Sequence, residues 1–205
     1  MIIGIYNYMH KYDFSNAKGI IHVGAHDGGE YEEYQTTFKQ DITIHWFEPQ
    51  KEVFKMLTDR IGDKLNNHFY NVGLGSKKEF KQIWTENENR GESASFSEPK
   101  DHKTLYPNIN FFPSEILEVR TLDSFNISDS NILVIDVQGF ELEVLKGSVE
   151  TLKKIDHIFC EINNVEMYKD CPTLAQLCEF LSLHGFTLRE DWWTENGWGD
   201  GYWSK

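Results

Sequence analysis

The sequence contains little cysteine, and its cysteines do not form a disulfide pattern. The 205 residues include only three, Cys160, Cys171 and Cys178. The number is odd and no spacing matches a CxxC pair, so neither a disulfide framework nor a zinc knuckle is indicated. Reduced thiols are typical of cytosolic proteins, and we therefore expect a cytoplasmic location.

Long apolar runs are also missing. No stretch approaches the roughly 20 apolar residues that cross a bilayer, so no membrane span is predicted. The first residues, 1–6, lack the basic segment and the apolar run of a signal peptide. Both absences agree with the expected cytoplasmic location.

Basic residues are scarce relative to acidic ones. Lysine and arginine number 20 against 33 aspartates and glutamates, which gives a formal net charge of −13. Binding to DNA or RNA normally requires Lys and Arg to displace counterions from the phosphates. Because no cluster of basic residues stands out, we expect no nucleic-acid partner.

Apolar residues, in contrast, are sufficient for a folded core. They make up 40% of the chain, and aromatic residues make up 14%, which excludes a disordered protein. A chain of 205 residues is long enough to bury a sizeable core. We expect a single domain spanning residues 1–205.

Short β-branched runs alternate with helix-like runs along the chain. This alternation is the signature of a mainly parallel sheet with crossover helices. We predict about seven strands in one open α/β sheet, with helices on both faces and an antiparallel C-terminal end. Strand-like runs lie at 20–23, 42–47, 68–72, 116–122, 131–137, 157–162, 186–189 and 201–203, and 80–85 could be a strand on one side of a hairpin. The predicted helices are 30–38, 51–60, 141–146 and 174–183.

Residues 86–113 interrupt this pattern. The segment is long and polar and contains Pro99, Pro107 and Pro113. A compact domain seldom carries such a loop without a purpose, so a lid or substrate loop is one interpretation. A flexible surface insertion is the other, and the sequence favours neither.

A glycine-containing loop follows the first predicted strand and precedes the first helix. Its glycines are Gly24, Gly28 and Gly29, a spacing that does not match the GxGxxG of dinucleotide-binding proteins. Glycines here let a ligand approach the backbone beside a helix N-terminus, although a tight turn needs them too. Glu48, 24 residues after Gly24, ends the second strand, where an acid can bind the two hydroxyls of a ribose. Together, loop and acid favour a nucleoside site.

Two further acids follow or end apolar strands. Asp136 follows Leu-Val-Ile, and Glu161 lies at the end of the next strand, so both should lie on the carboxyl edge of the sheet. Neighbouring acids can supply a base or bind a divalent cation. The alternative is a glutamate paired with a lysine or a backbone amide. Glu141 fits the role of a helix cap better than that of a ligand.

Other polar and aromatic residues carry weaker signals. His22 and His26 flank the glycine loop, but no third ligand lies nearby in the sequence, so they do not predict a zinc site. Four tryptophans near the C-terminus suggest either a sugar-stacking surface or the cover of a sheet edge: Trp192, Trp193, Trp198 and Trp203.

Taken in order, several motifs resemble the FkbM-type S-adenosylmethionine-dependent methyltransferases. The matching segments are 21–28 (IHVGAHDG), 46–49 (WFEP), 71–76 (NVGLGS), 120–123 (RTLD) and 133–147 (LVIDVQGFELEVLKG), with 133–147 the most specific. The resemblance runs from about residue 20 to the end of the chain. It implies a class I methyltransferase fold, which is Rossmann-like, with S-adenosylmethionine over the carboxyl edge of the sheet.

The resemblance also implies roles for particular residues. The methionine half of S-adenosylmethionine would lie against Gly24, Ala25, His26, Asp27 and Gly28. Glu48 would hold the ribose, and residues 72–74, including Val72 and Gly73, would flank the adenine. Asp136 would lie near the sulfonium and Glu161 near the methyl acceptor.

The chain departs from the family pattern at two positions. His22 stands where the family often has an acid, so Asp27 becomes the expected partner of the methionine amino group. Gln138 stands where the family often has a glutamate, and the lost carboxylate argues against a metal. S-adenosylmethionine is therefore the expected cofactor, and a divalent metal is not favoured.

The expected reaction is transfer of a methyl group to a hydroxyl of a small molecule or glycan, most simply a sugar hydroxyl. An alcohol is a poor nucleophile and benefits from a base, for which Asp136 or Glu161 is expected. Two alternatives remain open: a nicotinamide-dependent oxidoreductase and a non-catalytic nucleoside-binding module. The sequence does not indicate an oligomeric state.

Overall fold

The computed structural model describes residues 11–38 and 42–205. Within those residues the chain forms ten strands and six α-helices. The strands are β1 (Gly19–Val23), β2 (Thr43–Phe47), β3 (Asn67–Tyr70), β4 (Gly73–Leu74), β5 (Glu79–Thr85), β6 (Phe112–Arg120), β7 (Ile132–Ile135), β8 (His157–Asn163), β9 (Thr187–Trp193) and β10 (Trp198–Ser204). The helices are α1 (Tyr31–Thr37), α2 (Lys51–Ile61), α3 (His102–Leu105), α4 (Glu141–Lys146), α5 (Val149–Leu152) and α6 (Leu174–Leu183).

Seven of the strands form one open sheet, in the order β3-β2-β1-β7-β8-β10-β9. The pairs from β3 through β8 are parallel, whereas β10 is antiparallel to both β8 and β9. The chain runs outward from β1 to β3 and returns beside β1 as β7. The predicted seven-stranded, mostly parallel sheet is confirmed, as is its antiparallel C-terminal end.

Helices cover both faces of the sheet because alternate residues of each strand point to opposite sides. Ile20 of β1 packs in one core cluster with Tyr34 of α1 and Leu57 of α2. Its neighbour Ile21 packs in a second cluster with residues of α4 and α6, among them Val144. The central strand β7 reads Ile-Leu-Val-Ile and is fully buried, as expected for a strand covered on both faces.

The middle of the chain differs from the prediction in two respects. The strands predicted at 80–85 and 116–122 do form, but they belong to a separate three-stranded sheet of order β4-β6-β5. Strand β6 also begins earlier than expected, at Phe112, so it takes up the end of the predicted 86–113 loop. Alternating polar and apolar residues describe a strand but do not specify the sheet it joins.

The remainder of 86–113 packs against the molecule and contains the short helix α3. Glu86 is 2% exposed and organises the turn that follows it. Its carboxylate accepts hydrogen bonds from the backbone N–H groups of Asn89, at 2.6 Å, and Gly91, at 2.9 Å. The segment therefore has an internal anchor of its own.

Among residues 11–38 and 42–205, no helix is both long enough and apolar enough to cross a bilayer.

The packing of β7 makes a direct prediction about stability. Leu133 is 0% exposed, so Leu133→Ala should lower the free energy of unfolding by about 2–5 kcal/mol, through lost burial and the cavity left behind. Urea denaturation followed by circular dichroism measures the change. Leu183→Ala, at a position 78% exposed, is the matched control and should change stability by less than about 0.5 kcal/mol. Equal losses in the two variants would contradict this assignment of the core.

Candidate active site at the carboxyl edge of the sheet

The loop after β1 is held between the ends of two neighbouring strands. The backbone N–H groups of Gly24 and Ala25 both donate to the Phe47 carbonyl at 3.0 Å. Gly24 has a φ of +80°, and a Cβ built on it would lie 1.7 Å from the carbonyl oxygen of Asp136. Only glycine fits such a contact, so this residue allows the ends of β1, β2 and β7 to converge.

The other residues of this loop contact either the end of β2 or helix α2. His26 has a φ of +45°, and its backbone N–H donates to Glu48 Oε2 at 3.1 Å. Gly28 has a φ of +74°, and a Cβ there would meet Leu57 of α2 at 2.7 Å. Gly28 therefore packs against α2 and is not among the residues that line the cavity described below, whereas Gly24 and Gly29 are.

Glu48 is a buried carboxylate at the end of β2. It is 3% exposed and accepts backbone hydrogen bonds from His26 and, at 2.8 Å, from Gln50. Burial raises the pKa of Glu48 to about 7, although both N–H donors oppose the shift by stabilising the charged form. A carboxylate offers about four lone-pair directions, so two remain for the hydroxyls of a ligand.

These elements surround an open cavity at the carboxyl edge of the sheet, with about 990 Å³ of empty space when the solvent at its mouth is included. One end is apolar and is formed by Val72, Leu74, Ile83 and Phe96. Val72 and Gly73 line it as the sequence predicts, whereas Ile83 comes from the small sheet and Phe96 from the 86–113 segment. Neither of these two was expected, because no local pattern indicates which wall a loop residue will join.

The charged residues of the cavity lining are all acidic. The lining includes five carboxylate side chains and no lysine or arginine among the described residues. The five are Asp27, Glu30, Glu48, Glu92 and Asp136. Converging carboxylates in a site partly screened from water favour a cationic ligand and disfavour a phosphate.

The two acids expected on neighbouring strands are joined by an amide. Gln138 Nε2 donates to Asp136 Oδ1 at 2.7 Å and to Glu161 Oε2 at 3.0 Å. Asp136 lines the cavity, whereas Glu161 is 6% exposed and lies outside the lining. The structure therefore brings the two acids together through Gln138, with Asp136 on the cavity side.

Burial and charge repulsion act together on Glu161. Burial first, and then the negative charges of Asp136 and Glu141, raise the pKa of Glu161 well above its usual value. Glu141 is fully buried and accepts the Gly139 N–H at 2.9 Å. It is the first residue of α4 and its carboxylate holds the loop before the helix; the N-cap itself is Phe140, which makes no side-chain cap, so the expected capping role is not seen. Burial raises the pKa of Glu141 to about 7.

The segment 91–96 forms one wall of the cavity and is hydrogen-bonded to residues on the opposite side. Ser95 Oγ donates to the Gln138 carbonyl at 2.6 Å, and Gln50 Nε2 donates to the Gly91 carbonyl at 3.2 Å. The Tyr168 hydroxyl lies 2.8 Å from the Ser93 carbonyl oxygen and 3.0 Å from Gln138 Oε1. This part of the 86–113 segment therefore contributes directly to the site.

The remaining residues singled out in the sequence lie away from the cavity or only touch its rim. His22 is 2% exposed and hydrogen-bonds the Tyr34 hydroxyl at 3.0 Å, so it is a core residue. Trp203 is fully buried in the core, and Trp198 donates to the Tyr106 hydroxyl at 2.8 Å. The C-terminal tryptophans therefore do not line the cavity, and His26 alone of the two predicted histidines borders it.

Comparison with known proteins identifies the family. Residues 22–188 match the Methyltransferase FkbM domain. The chain belongs to the FkbM methyltransferase family. The resemblance in its motifs is confirmed.

Two FkbM relatives give the scale of the similarity. The chain is 22% identical over 171 residues to the 2-O-methyltransferase NoeI of Sinorhizobium fredii, covering 79% of this chain and 70% of the relative. A solved FkbM methyltransferase from Methylobacillus flagellatus superposes with a TM-score of 0.64 at 15% identity, over 98% of this chain. The chain spans less than half, 46%, of that protein.

The fold is shared more widely. Aeropyrum pernix fibrillarin, solved with bound S-adenosyl-L-methionine, superposes with a TM-score of 0.52 at 11% identity, over 91% of this chain and 66% of the other. The seven-stranded sheet of the FkbM domain and these superpositions confirm the expected class I methyltransferase fold.

The close contact at Gly24 predicts that adding a single methyl group there strongly lowers the stability of the protein. Gly24→Ala should destabilise the protein by several kcal/mol, because the new Cβ would displace Asp136 and the end of β7. Gly185→Ala, just after α6, is the matched control: its φ is also positive, +85°, but nothing lies within 4 Å of the added Cβ. It should lose only about 1–2 kcal/mol from backbone strain. Thermal and urea unfolding of both variants measure the difference, and similar losses would contradict the convergence of the strand ends on Gly24.

Proposed function

We propose that this FkbM-family chain transfers a methyl group from S-adenosylmethionine to a hydroxyl oxygen, with a sugar or glycan as the acceptor. The observation that carries the proposal is the acidic cavity joining the Gly24 loop, Glu48 and Asp136 at one edge of the sheet. Class I folds bind their ligands at this edge, where the strand order reverses.

The residues present fit S-adenosylmethionine along the length of the cavity. The apolar end, with Val72, Gly73 and Phe96, suits the adenine ring. Glu48 suits the ribose, since two of its acceptor positions remain for hydroxyl donors. At the other end, the loop from Gly24 to Asp27 suits the methionine half. The Asp27 carboxylate is the partner we assign to its ammonium group, with one oxygen already paired to Arg60.

Charge favours this cofactor over a dinucleotide. S-adenosylmethionine carries a sulfonium cation and no phosphate, and five carboxylates line the cavity without a lysine or arginine. A nicotinamide dinucleotide would bring its pyrophosphate into the same acidic field. The cavity therefore supports the methyl donor over the alternative of an oxidoreductase.

In the proposed mechanism, bound S-adenosylmethionine supplies an electrophilic methyl group. Positioning provides much of the rate of such an in-line displacement. Asp136 lines the cavity, so we assign it as the base that accepts the proton of the acceptor hydroxyl. The Gln138 amide fixes its carboxylate through the 2.7 Å hydrogen bond. Glu161 is the second candidate base, one hydrogen bond further away.

A neutral hydroxyl compound suits the acceptor side. The acidic lining disfavours acceptors that carry phosphate or carboxylate groups near the reacting hydroxyl. Similarity to NoeI, a 2-O-methyltransferase, supports oxygen as the methylated atom. The reaction as proposed takes no step through a metal.

The proposed role of Glu48 predicts a loss of cofactor affinity and a pH dependence. Glu48→Gln should weaken S-adenosylhomocysteine binding about 10- to 150-fold at pH 8, since hydrogen bonds to a charged group contribute about 1.5–3 kcal/mol. Because the pKa of Glu48 is about 7, wild-type affinity should fall as the pH is lowered from 8 to 6, while the variant stays flat. Isothermal titration calorimetry measures both effects.

Glu52→Gln, at an exposed position at the start of α2, is the matched control and should bind as wild type.

The pH dependence of stability provides a second check on Glu48. A carboxyl whose pKa is raised on folding contributes stability below its unfolded pKa and loses it as the pH rises through the folded value, here about 7. Glu48→Gln should therefore be no less stable than wild type at pH 8. Unchanged affinity would remove Glu48 from the cofactor site.

The proposed base predicts a loss of turnover without a loss of fold. Asp136→Asn should lower kcat about 10²- to 10⁴-fold, the usual contribution of a general base, with an unfolding temperature close to that of wild type. The measurement is S-adenosylhomocysteine formation across a panel of mono- and oligosaccharides. Asp59→Asn, at an exposed site in α2, is the control.

Two outcomes would contradict this account. Full activity of Asp136→Asn would exclude Asp136 as the base. Cofactor binding by wild type without turnover of any acceptor would favour the non-catalytic binding module.

A further inference from the structure

A second group of polar side chains lies away from the cavity, towards the amino ends of the strands. It consists of His45 in β2, His68 in β3 and Asp129 in the loop before β7. The parallel pairing of β2 with β3 places His45 opposite His68, and their rings stack with centroids 4.7 Å apart. None of the three belongs to the cavity lining.

The three side chains converge on one point. His45 Nε2 lies 2.9 Å from Asp129 Oδ1, and one potential ligand atom from each residue lies within 4.8 Å of the other two. Ligand atoms around a tetrahedral zinc ion, each about 2.0–2.2 Å from the metal, are roughly 3.4 Å apart. His68 and Asp129 are exposed, so small side-chain rotations can reach that spacing.

The buried member of the group is already oriented. His45 Nδ1 is 3.0 Å from the Tyr70 hydroxyl, so Nε2 is the nitrogen that faces Asp129. Histidine ligands are commonly oriented by such a hydrogen bond to the other ring nitrogen.

The loop that carries Asp129 is held close to the sheet. A Cβ on Gly19, the first residue of β1, would lie 2.5 Å from the Asp129 carbonyl oxygen. The backbone at Asp129 therefore packs directly on β1, which places the carboxylate beside β2.

We propose that His45, His68 and Asp129 form a binding site for a divalent transition metal, with Zn²⁺ as the best match. Two imidazoles and a carboxylate are borderline ligands suited to Zn²⁺, and exposure of the group leaves a fourth position for water. Because its ligands come from β2, β3 and the loop before β7, the metal would cross-link three separate parts of the chain. Such a metal stabilises the folded state without taking part in methyl transfer.

The competing interpretation needs no metal. A hydrogen bond from His45 Nε2–H to Asp129, together with stacking of the two imidazole rings, would account for the same positions. The two interpretations differ in what they require of His68. A metal site needs its nitrogen, whereas the hydrogen-bonded arrangement uses only the face of its ring.

Titration with ZnCl₂ distinguishes the metal site from the hydrogen-bonded arrangement. Metal-free wild-type protein should bind one Zn²⁺ at this site and show a higher unfolding temperature with Zn²⁺ than without. His68→Ala and Asp129→Asn should each weaken that binding at least about tenfold, as expected for loss of a ligand. His184→Ala, at the end of α6, is the matched control and should bind as wild type. His68→Phe keeps an aromatic ring but no ligand atom, and should also lose the metal.

The readouts are calorimetry, thermal unfolding, and anomalous diffraction at the zinc edge to locate the ion. Far-ultraviolet circular dichroism of each variant verifies that it is folded. Failure of wild type to bind Zn²⁺, or equal Zn²⁺ affinity in wild type and His68→Phe, would overturn the proposal. Anomalous density between the three side chains would support it.

Discussion

The close approach of Gly24 to Asp136 is the contact on which the site depends. A Cβ at Gly24 would lie 1.7 Å from the Asp136 carbonyl oxygen. The N–H groups of Gly24 and Ala25 both donate to the Phe47 carbonyl. The ends of three parallel strands can therefore meet. This meeting brings the glycine loop, Glu48 and the Asp136 carboxylate to one cavity, although they are far apart in the sequence.

The second feature that defines the site is its negative charge. Burial disfavours the charged form of Glu48, Glu141 and Glu161, and two kinds of hydrogen bond reduce this effect. Backbone N–H groups donate to Glu48 and Glu141, and the neutral amide of Gln138 stands between Asp136 and Glu161. A glutamate at 138 would add a third negative charge there. The result is a cavity lined by five carboxylates and by no lysine or arginine of the described residues, with Arg60 paired to the Asp27 carboxylate beside it.

Much of this arrangement could be predicted from local sequence. Apolar runs of the right length identified the parallel strands, and polar residues at their carboxyl ends identified Glu48 and Asp136. Ile83 and Phe96 could not be found in this way, because their place in the wall depends on how a second sheet and a long segment pack. The same holds for His45 and His68, which meet through strand register, and for Trp203, whose burial follows from its place in β10.

A crystal structure of the protein with S-adenosylhomocysteine tests the central claim most directly. The account predicts density in the cavity at the carboxyl edge, with the ribose hydroxyls on the Glu48 carboxylate, the adenine beside Val72 and Phe96, and the sulfur near Asp136. Density at another place on the molecule, or an empty cavity at saturating ligand, would contradict it.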